Sequence, residues 1–374
     1  MGDQYPVVKV AAVQAASVFL EREGSTEKAC RLIREAGRNG ARVVAFPEGF
    51  IPAHPVWYHH HAATGATANK FATELFKNSV EIPGPEIDAL RAAARDADAY
   101  VVMGVCEKVP KTIGTMFNSQ VFIGPGGDLI GKHQKIMPTV GERLVHMGGF
   151  GDTFGAFQTE FGPMSALICG ENSNPLAIFA LTAEGTRIHV MSWPNHFPTS
   201  GDPMKNRVTV DSQAFAQMSK AWVISACGTV DEDMIRKLEA GPEGERFLRN
   251  PECCGGSVIV APNSRIVAGP LGADEGILYA DCDIEIGVRM KLRHDFAGHY
   301  NRPDIFQLSV NRAAPRIYTV HTVPDRLAPV EIRALGGAAE KAQTVARIAE
   351  PANPASRPRI GRRSGTPRKR RDRK

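Results

Sequence analysis

The chain has 374 residues, 43% of them hydrophobic and 23% charged, with a formal net charge of +5. That is the balance of a soluble globular protein, long enough for one large domain or two small ones and for a sizeable core without disulfide staples. No apolar run reaches the roughly 20 residues of a membrane span, the first residues lack the basic region of a secretion signal, and the seven cysteines read as reduced thiols of a cytoplasmic protein.

In chain order, residues 7–15 read as a strand, and 25–39 as a helix capped by Ser25 or Thr26 and ended by Gly40. Residues 41–46 form the next strand, stopped by Pro47. Residues 85–97 read as a helix, with Pro85 in the first turn and Ile87, Leu90 and Ala94 on one face. Strands follow at 100–105 and 118–123, the latter turned by Gly124-Pro125-Gly126-Gly127-Asp128 into a hairpin partner at 129–132. Further on come a strand at 164–168, a helix at 176–184, a strand at 189–192 and a helix at 211–219. The last strands are 222–227, 257–261 and 276–281, the final two flanking a turn at Pro262-Asn263-Ser264. Repeated strand–helix units predict an α/β fold. Apolar runs that are continuous instead of alternating fit strands buried on both faces, and the hairpin at 117–132 adds antiparallel pairs to make the sheet mixed. No internal repeat is visible. The body ends near Asn301–Phe306, an Ala-rich helical stretch lies within 330–350, and residues 357–374 carry ten Lys/Arg against one Asp. That last segment cannot bury enough apolar surface to offset its ordering and reads as a disordered tail. It leaves a mildly acidic body, and weak contact with a polyanion is its alternative role.

The chemistry gathers at strand ends, where ligands of α/β sheets bind. The apolar run 164–168 ends in Cys169, and the chain turns polar through Gly170-Glu171-Asn172. A free cysteine is usually a small core residue, but this flank is too polar for a core turn. The helix expected at Leu176 would favour a thiolate. Glu48 ends another apolar run, where a carboxylate is costly to bury without a partner, and Lys132-His133-Gln134-Lys135 supplies a cation. Each alone is also read as an ordinary surface residue. His59, His60 and His61 do not converge as a metal site, Cys253-Cys254 is a lone vicinal pair, and Gly124-Pro125-Gly126-Gly127 lacks phosphate-loop spacing. Neither metal nor nucleotide cofactor is expected.

Taken together, Phe46-Pro47-Glu48, Lys132-x-x-Lys135-x-Met137-Pro138-Thr139 and Ile168-Cys169-Gly170-Glu171-Asn172 stand in the order and spacing of the nitrilase superfamily. Gly141-Glu142-Arg143, Asn174-Pro175-Leu176 and the late His294-Asp295-x-x-Gly298-His299-Tyr300-Asn301-Arg302-Pro303-Asp304 make the chain resemble its nitrilase branch, over residues 6–308. The resemblance implies an αββα sandwich with mixed sheets, a Glu48–Lys135–Cys169 triad, and Glu142 as a second glutamate. It also implies a homo-oligomer, a dimer or a larger spiral. The domain layout is then a hydrolase domain at 1–310, an oligomer-associated extension at 311–350 and the basic tail at 351–374. Two departures fall near the expected pocket. Gly170 stands where many nitrilases carry tryptophan, and residues 146–152 replace an acidic Gly-Asp-Gly stretch. Trp57, Tyr58, Gly170, Trp193, Asn195 and His196 are the candidate substrate-binding residues.

The expected reaction is attack of Cys169 on a nitrile carbon with Glu48 as base, then hydrolysis of the thioimidate and thioester to acid and ammonia. An amidase or carbamoylase using the same residues is the alternative. A nitrile-hydrating enzyme that releases the amide is a further one.

Overall fold

The structure, a computed structural model, describes residues 2–197 and 201–314. All of the 351–374 tail and nearly all of the 311–350 extension lie outside the described residues. In the first sheet β1 (Val7–Gln14), β2 (Val43–Ala45) and β3 (Tyr100–Lys108) run parallel, and β4 (Met116–Ile123) and β5 (Leu129–Gln134) return antiparallel. The second sheet sets β6 (Phe157–Thr159) antiparallel to β7 (Gly162–Ile168), which runs parallel with β8 (Ile188–Trp193) and β9 (Trp222–Cys227). It ends in the antiparallel strands β10 (Val258–Val260) and β11 (Ile266–Ala268). The last strand, β12 (Gly276–Asp283), crosses back to pair antiparallel with the whole of β1. It therefore stands to β1 as β6 stands to β7, and the two six-stranded sheets share one strand plan.

The helices are α1 (Arg22–Arg38), α2 (Ala66–Asn78), α3 (Pro85–Ala97), α4 (Pro175–Ala183), α5 (Met204–Ser219), α6 (Glu232–Leu238), α7 (Gly241–Leu248) and α8 (Glu285–Lys291). The apolar faces of α1 and α3, from Ala29, Ile33, Ile87 and Leu90, meet Ala11, Val13, Val44 and Val101 of the first sheet. Alternate residues of the same strands, Val8, Val10, Val43 and Val102, meet Met164, Ala166, Val190 and Ile224 of the second sheet. Behind those, Leu167, Met191 and Val223 pack on Leu181 of α4 and Phe215 of α5. Side chains of a strand point alternately to its two faces, and here both faces are interior. That is why the strands read as continuous apolar runs, and the result is the αββα sandwich. Among the described residues no helix is long and apolar enough to cross a membrane.

Several expectations are corrected. The Pro262-Asn263-Ser264 turn joins β10 to β11; the strand at 276–283 belongs to the other sheet. Helix α1 begins earlier than expected, at Arg22. Ser25 is buried inside it, its hydroxyl donating to the Val18 carbonyl (3.0 Å), so neither it nor Thr26 is the cap. Helix α5 begins at Met204 instead of residue 211, and α2, α6, α7 and α8 were not expected from the pattern.

Candidate active site

Three strand ends of the parallel cores and their hairpins meet at one edge of the sandwich. Past β2, Pro47-Glu48 crosses toward the second sheet, where the Glu48 N–H donates to the Trp193 carbonyl (3.0 Å). Gly104 of β3 lies beneath this crossing, and a Cβ there would run into the Pro47 carbonyl oxygen. Past β5, the Lys135 N–H donates to the Asn118 carbonyl (2.8 Å). Past β7, Cys169 opens a short 3₁₀ turn with φ +52°. A β-carbon is strained in that left-handed region.

The Lys135 ammonium is the hub. It donates to Glu48 Oε1 (2.7 Å) and Glu142 Oε2 (2.6 Å), with all three side chains essentially sealed from solvent. Asn118 Nδ2 lies 2.7 Å from both Glu48 Oε1 and Glu142 Oε1 and ties the same carboxylates together. Glu142 also accepts the Thr139 N–H (2.9 Å), closing a capping box. Glu48 Oε2 is buried with no hydrogen-bond partner. Burial lifts the Glu48 carboxyl, Lys135 pulls it back and Glu142 pushes it up again, leaving it raised to about 7. For Glu142, burial is outweighed by Lys135, and its pKa is held well below the usual carboxylate range. Burial works against the Lys135 charge, but Glu48 and Glu142 outweigh it and its pKa is raised. The cluster thus carries two acids and one fixed cation, with Glu48 the member able to exchange a proton near neutrality.

Cys169 is half-buried, and its thiol is pushed up by burial first and by Glu48 second. This corrects the expectation of a thiolate favoured by a helix N-terminus. Helix α4 begins only at Pro175, and its first N–H groups are taken by the Asn174 side chain, 3.0 Å from the Leu176 nitrogen. The turn itself is held by its neighbours. Glu171 accepts the Ile168 N–H (2.9 Å) and the Ile136 N–H (2.6 Å), and sits 3.0 Å from His133 Nε2. One carboxylate so binds the residue before Cys169 and the residue after Lys135. Asn172 Nδ2 donates to the Cys169 carbonyl (2.9 Å), and its Oδ1 is fixed by His189 (2.9 Å).

Cys169, Lys135 and Glu142 open onto a cavity of about 450 Å³, walled also by Gly170, Trp193, His196, His54, Phe197 and the Arg207–Asp211 pair. Residues 9–288 match the family described as carbon-nitrogen hydrolase. The chain belongs to the carbon–nitrogen hydrolase family. A nitrilase of a Bacillus species is 35% identical over 310 residues, spanning 82% of this chain and 89% of its own length. An aliphatic nitrilase of Sinorhizobium fredii is 35% identical over 309 residues, spanning 81% of this chain and 95% of its own. A solved carbon–nitrogen hydrolase from Helicobacter pylori shares the fold at 17% identity and a TM-score of 0.62, covering 80% of this chain and 97% of that one. Within the carbon–nitrogen hydrolases this chain falls in the nitrilase branch.

For this hydrolase the structure brings Glu48, Lys135, Glu142 and Cys169 together and sets Gly170, Trp193 and His196 on the cavity wall. A Cβ at Gly170 would meet only Thr139 Oγ1, at 3.8 Å, so the space beside the thiol is open. Trp57, Tyr58 and Asn195 are not part of that wall. Trp57 is buried against Phe71 of the unforeseen helix α2, Tyr58 packs over Gly141, and Asn195 is turned to the Thr229 carbonyl (2.9 Å). Sequence reasoning missed Asn118 and His54, the latter 3.4 Å from Glu48 Oε1 and pushed down to about 3 by burial. The Thr139-x-x-Glu142 spacing is a capping-box signal that marks Glu142's placement. An asparagine inside the apolar strand 118–123 was the only hint of Asn118. Ligand atoms of Glu48, His54 and Glu142 lie within 4.8 Å of one another, but the Lys135 ammonium already stands between the two carboxylates as their cation.

Proposed function

We propose that the chain hydrolyses an organic nitrile to a carboxylic acid and ammonia, with Cys169 as nucleophile and Glu48 as general base. The observation that carries this reading is the sealed bridge of Lys135 and Asn118 across Glu48 and Glu142, which leaves Glu48 Oε2 unpartnered. In the first step Glu48 takes the thiol proton as sulfur bonds to the nitrile carbon, and returns it to nitrogen to give a thioimidate. The raised thiol pKa makes this transfer part of the attack instead of a prior ionisation. Water, giving its proton to Glu48, then adds to the thioimidate carbon. Lys135, cationic at every working pH, and the Gly170 N–H stabilise the charge that develops, an effect of about 3–4 kcal/mol per donor. Glu48 passes the water proton to the nitrogen and then relays the hydroxyl proton to it, so the C–N bond breaks and ammonia leaves as the thioester carbonyl forms. A second water, giving its proton to Glu48, cleaves the thioester to the acid, and Glu48 returns the proton to the Cys169 sulfur. Glu142 holds Lys135 in place and keeps Glu48 near neutrality.

The aliphatic nitrilase relative and the open space at Gly170 support a broad substrate range. Exposed Leu176 and Val210 on the outer helices support assembly as a homo-oligomer, and the unpaired cysteines support a cytoplasmic setting. The test is a panel of aliphatic, aryl and arylacetonitriles, with acid, amide and ammonia measured. Acid plus ammonia, abolished in a folded Cys169→Ala variant, is expected. Turnover of amides alone would assign the residues to an amidase, and ammonia release at the normal rate by Cys169→Ala would remove Cys169 from the mechanism.

A further inference from the structure

Two lysines are buried among the described residues, Lys135 at 1% exposure and Lys220 at 6%. The first is held by two carboxylates. The second has no ion pair and no side-chain hydrogen bond among the described residues, and burial alone pushes its pKa down. Its stem is covered, while its ammonium opens into a cavity, 5.7 Å from the Phe296 ring and with no carboxylate paired to it. Lys220 closes helix α5 in the left-handed conformation, φ +59°, its N–H on the Ala216 carbonyl (2.9 Å), so the backbone cap fixes where the side chain starts.

That side chain lines a cavity of about 320 Å³, separate from the one at Cys169. Arg187, just before β8, and Lys291, at the end of α8, line it too, with His299. The one carboxylate on the wall is Asp295, 3.7 Å from Lys291. The Arg187 guanidinium lies 5.4 Å from the Tyr5 ring and donates only to the Phe161 carbonyl (3.2 Å) among the described residues. Arg187 and Lys220 precede β8 and β9, whereas Cys169 follows the parallel strand β7. The two cavities therefore sit at opposite ends of the same strands. Three basic side chains face one acid, over a floor that includes Ile284, Val288 and Leu292.

We propose that this second cavity binds a small oxyanion, a carboxylate or a phosphate, with Lys220 as its anchor and Lys291 and Arg187 as its other cationic contacts. The missing counter-charge of Lys220 is then the ligand's own. The proposal stands independently of nitrile hydrolysis.

The experiment follows thermal unfolding of the full chain in inorganic phosphate and, separately, in benzoate, with chloride holding ionic strength constant. A ligand that binds only the folded state raises the melting temperature with its concentration. At least one of the two anions is expected to raise it, and which one does so separates the phosphate from the carboxylate source. Lys220→Met weakens that response by at least about tenfold, Lys220→Arg keeps it, and nitrile turnover by Lys220→Met stays unchanged. An equal response in wild type and Lys220→Met overturns the proposal, as does no response to either anion up to about 50 mM. If Lys220→Met fails to fold, Lys291→Ala is read the same way: a weakened response supports the site and an unchanged one overturns it.

Discussion

At the scale of single residues, the site turns on which of two buried carboxylates keeps its proton. Glu142 accepts from Lys135, Asn118 and the Thr139 backbone, and is held ionised. Glu48 shares the same lysine and asparagine but has one oxygen without a donor, and its carboxyl rises to about 7. A base must be ionised to accept the thiol proton. Activity should therefore fall as pH drops through about 7, with kcat/KM losing about tenfold per pH unit on the acid limb. A kcat/KM profile measured between pH 5 and 9 checks this; a flat acid limb down to pH 5 would mean that Glu48 is not the titrating base. Glu48, Lys135 and Cys169 were legible in the sequence because each sits in a motif at a strand end, and Glu142, in the 3₁₀ turn beyond β5, only through the family resemblance. Asn118 and His54 were not, because a polar residue inside or just past an apolar run reads as a surface position until the opposing sheet is known. Trp57 failed in the opposite sense: its aromatic ring suggested a pocket, and a helix absent from the pattern claimed it for the core.

At the scale of elements, the parallel strands and the helices behind them were visible because both faces of β1, β3 and β8 are interior, which writes itself as unbroken apolar sequence. Which sheet a strand joins was not visible. Strand β12 looks like a hairpin partner of 257–261, yet it closes the far sheet against β1, a pairing that local turn residues cannot specify. The link between elements that matters most for chemistry is Glu171. Its two oxygens take N–H groups from the ends of β5 and β7, so one side chain sets Lys135 and Cys169 relative to each other. Glu171→Ala strands the buried Ile168 N–H, worth about 1–3 kcal/mol, and the part-buried Ile136 N–H, worth about 1 kcal/mol. It is expected to lower stability by about 2–4 kcal/mol and to reduce kcat more than it alters KM. Urea unfolding and steady-state kinetics on the purified variant check this. A variant with normal stability and normal kcat would show that the two strand ends keep their places without the carboxylate.

At the scale of the whole molecule, stacking two sheets between helix layers leaves imidazoles where water does not reach. His189 is fully buried, stacked on Phe215 of α5 at 3.7 Å, with Ser165 Oγ at 2.8 Å and Asn172 Oδ1 at 2.9 Å. Asn172 Oδ1 can only accept, so His189 Nε2 carries the proton and Nδ1 accepts from the serine. Burial first, and neighbouring histidines second, hold His189 and His196 well below the ordinary histidine range. Burial likewise pushes His54 down to about 3. In the unfolded chain each titrates near 6.5. Below that pH the unfolded state binds protons that the folded state refuses, so the stability these neutral rings contribute above about pH 6.5 is lost as pH falls. Glu48 acts in the opposite direction, because its raised pKa lets the folded state take up a proton first as pH drops from about 7 toward its ordinary value. These three histidines against one glutamate give a net uptake of about two protons on unfolding, and His60, pushed down to about 4 by burial, and His59, lowered the same way, add to it, so the loss is at least about 3 kcal/mol per pH unit between pH 6 and 5. Urea unfolding at half-unit intervals from pH 7.5 to 5 measures that slope directly. His189→Gln, whatever its effect at pH 7.5, should flatten the slope by about 1.4 kcal/mol per unit, the share of one proton. An unchanged slope in that variant would mean that the folded protein admits a proton to His189 and that the sandwich opens to water around it.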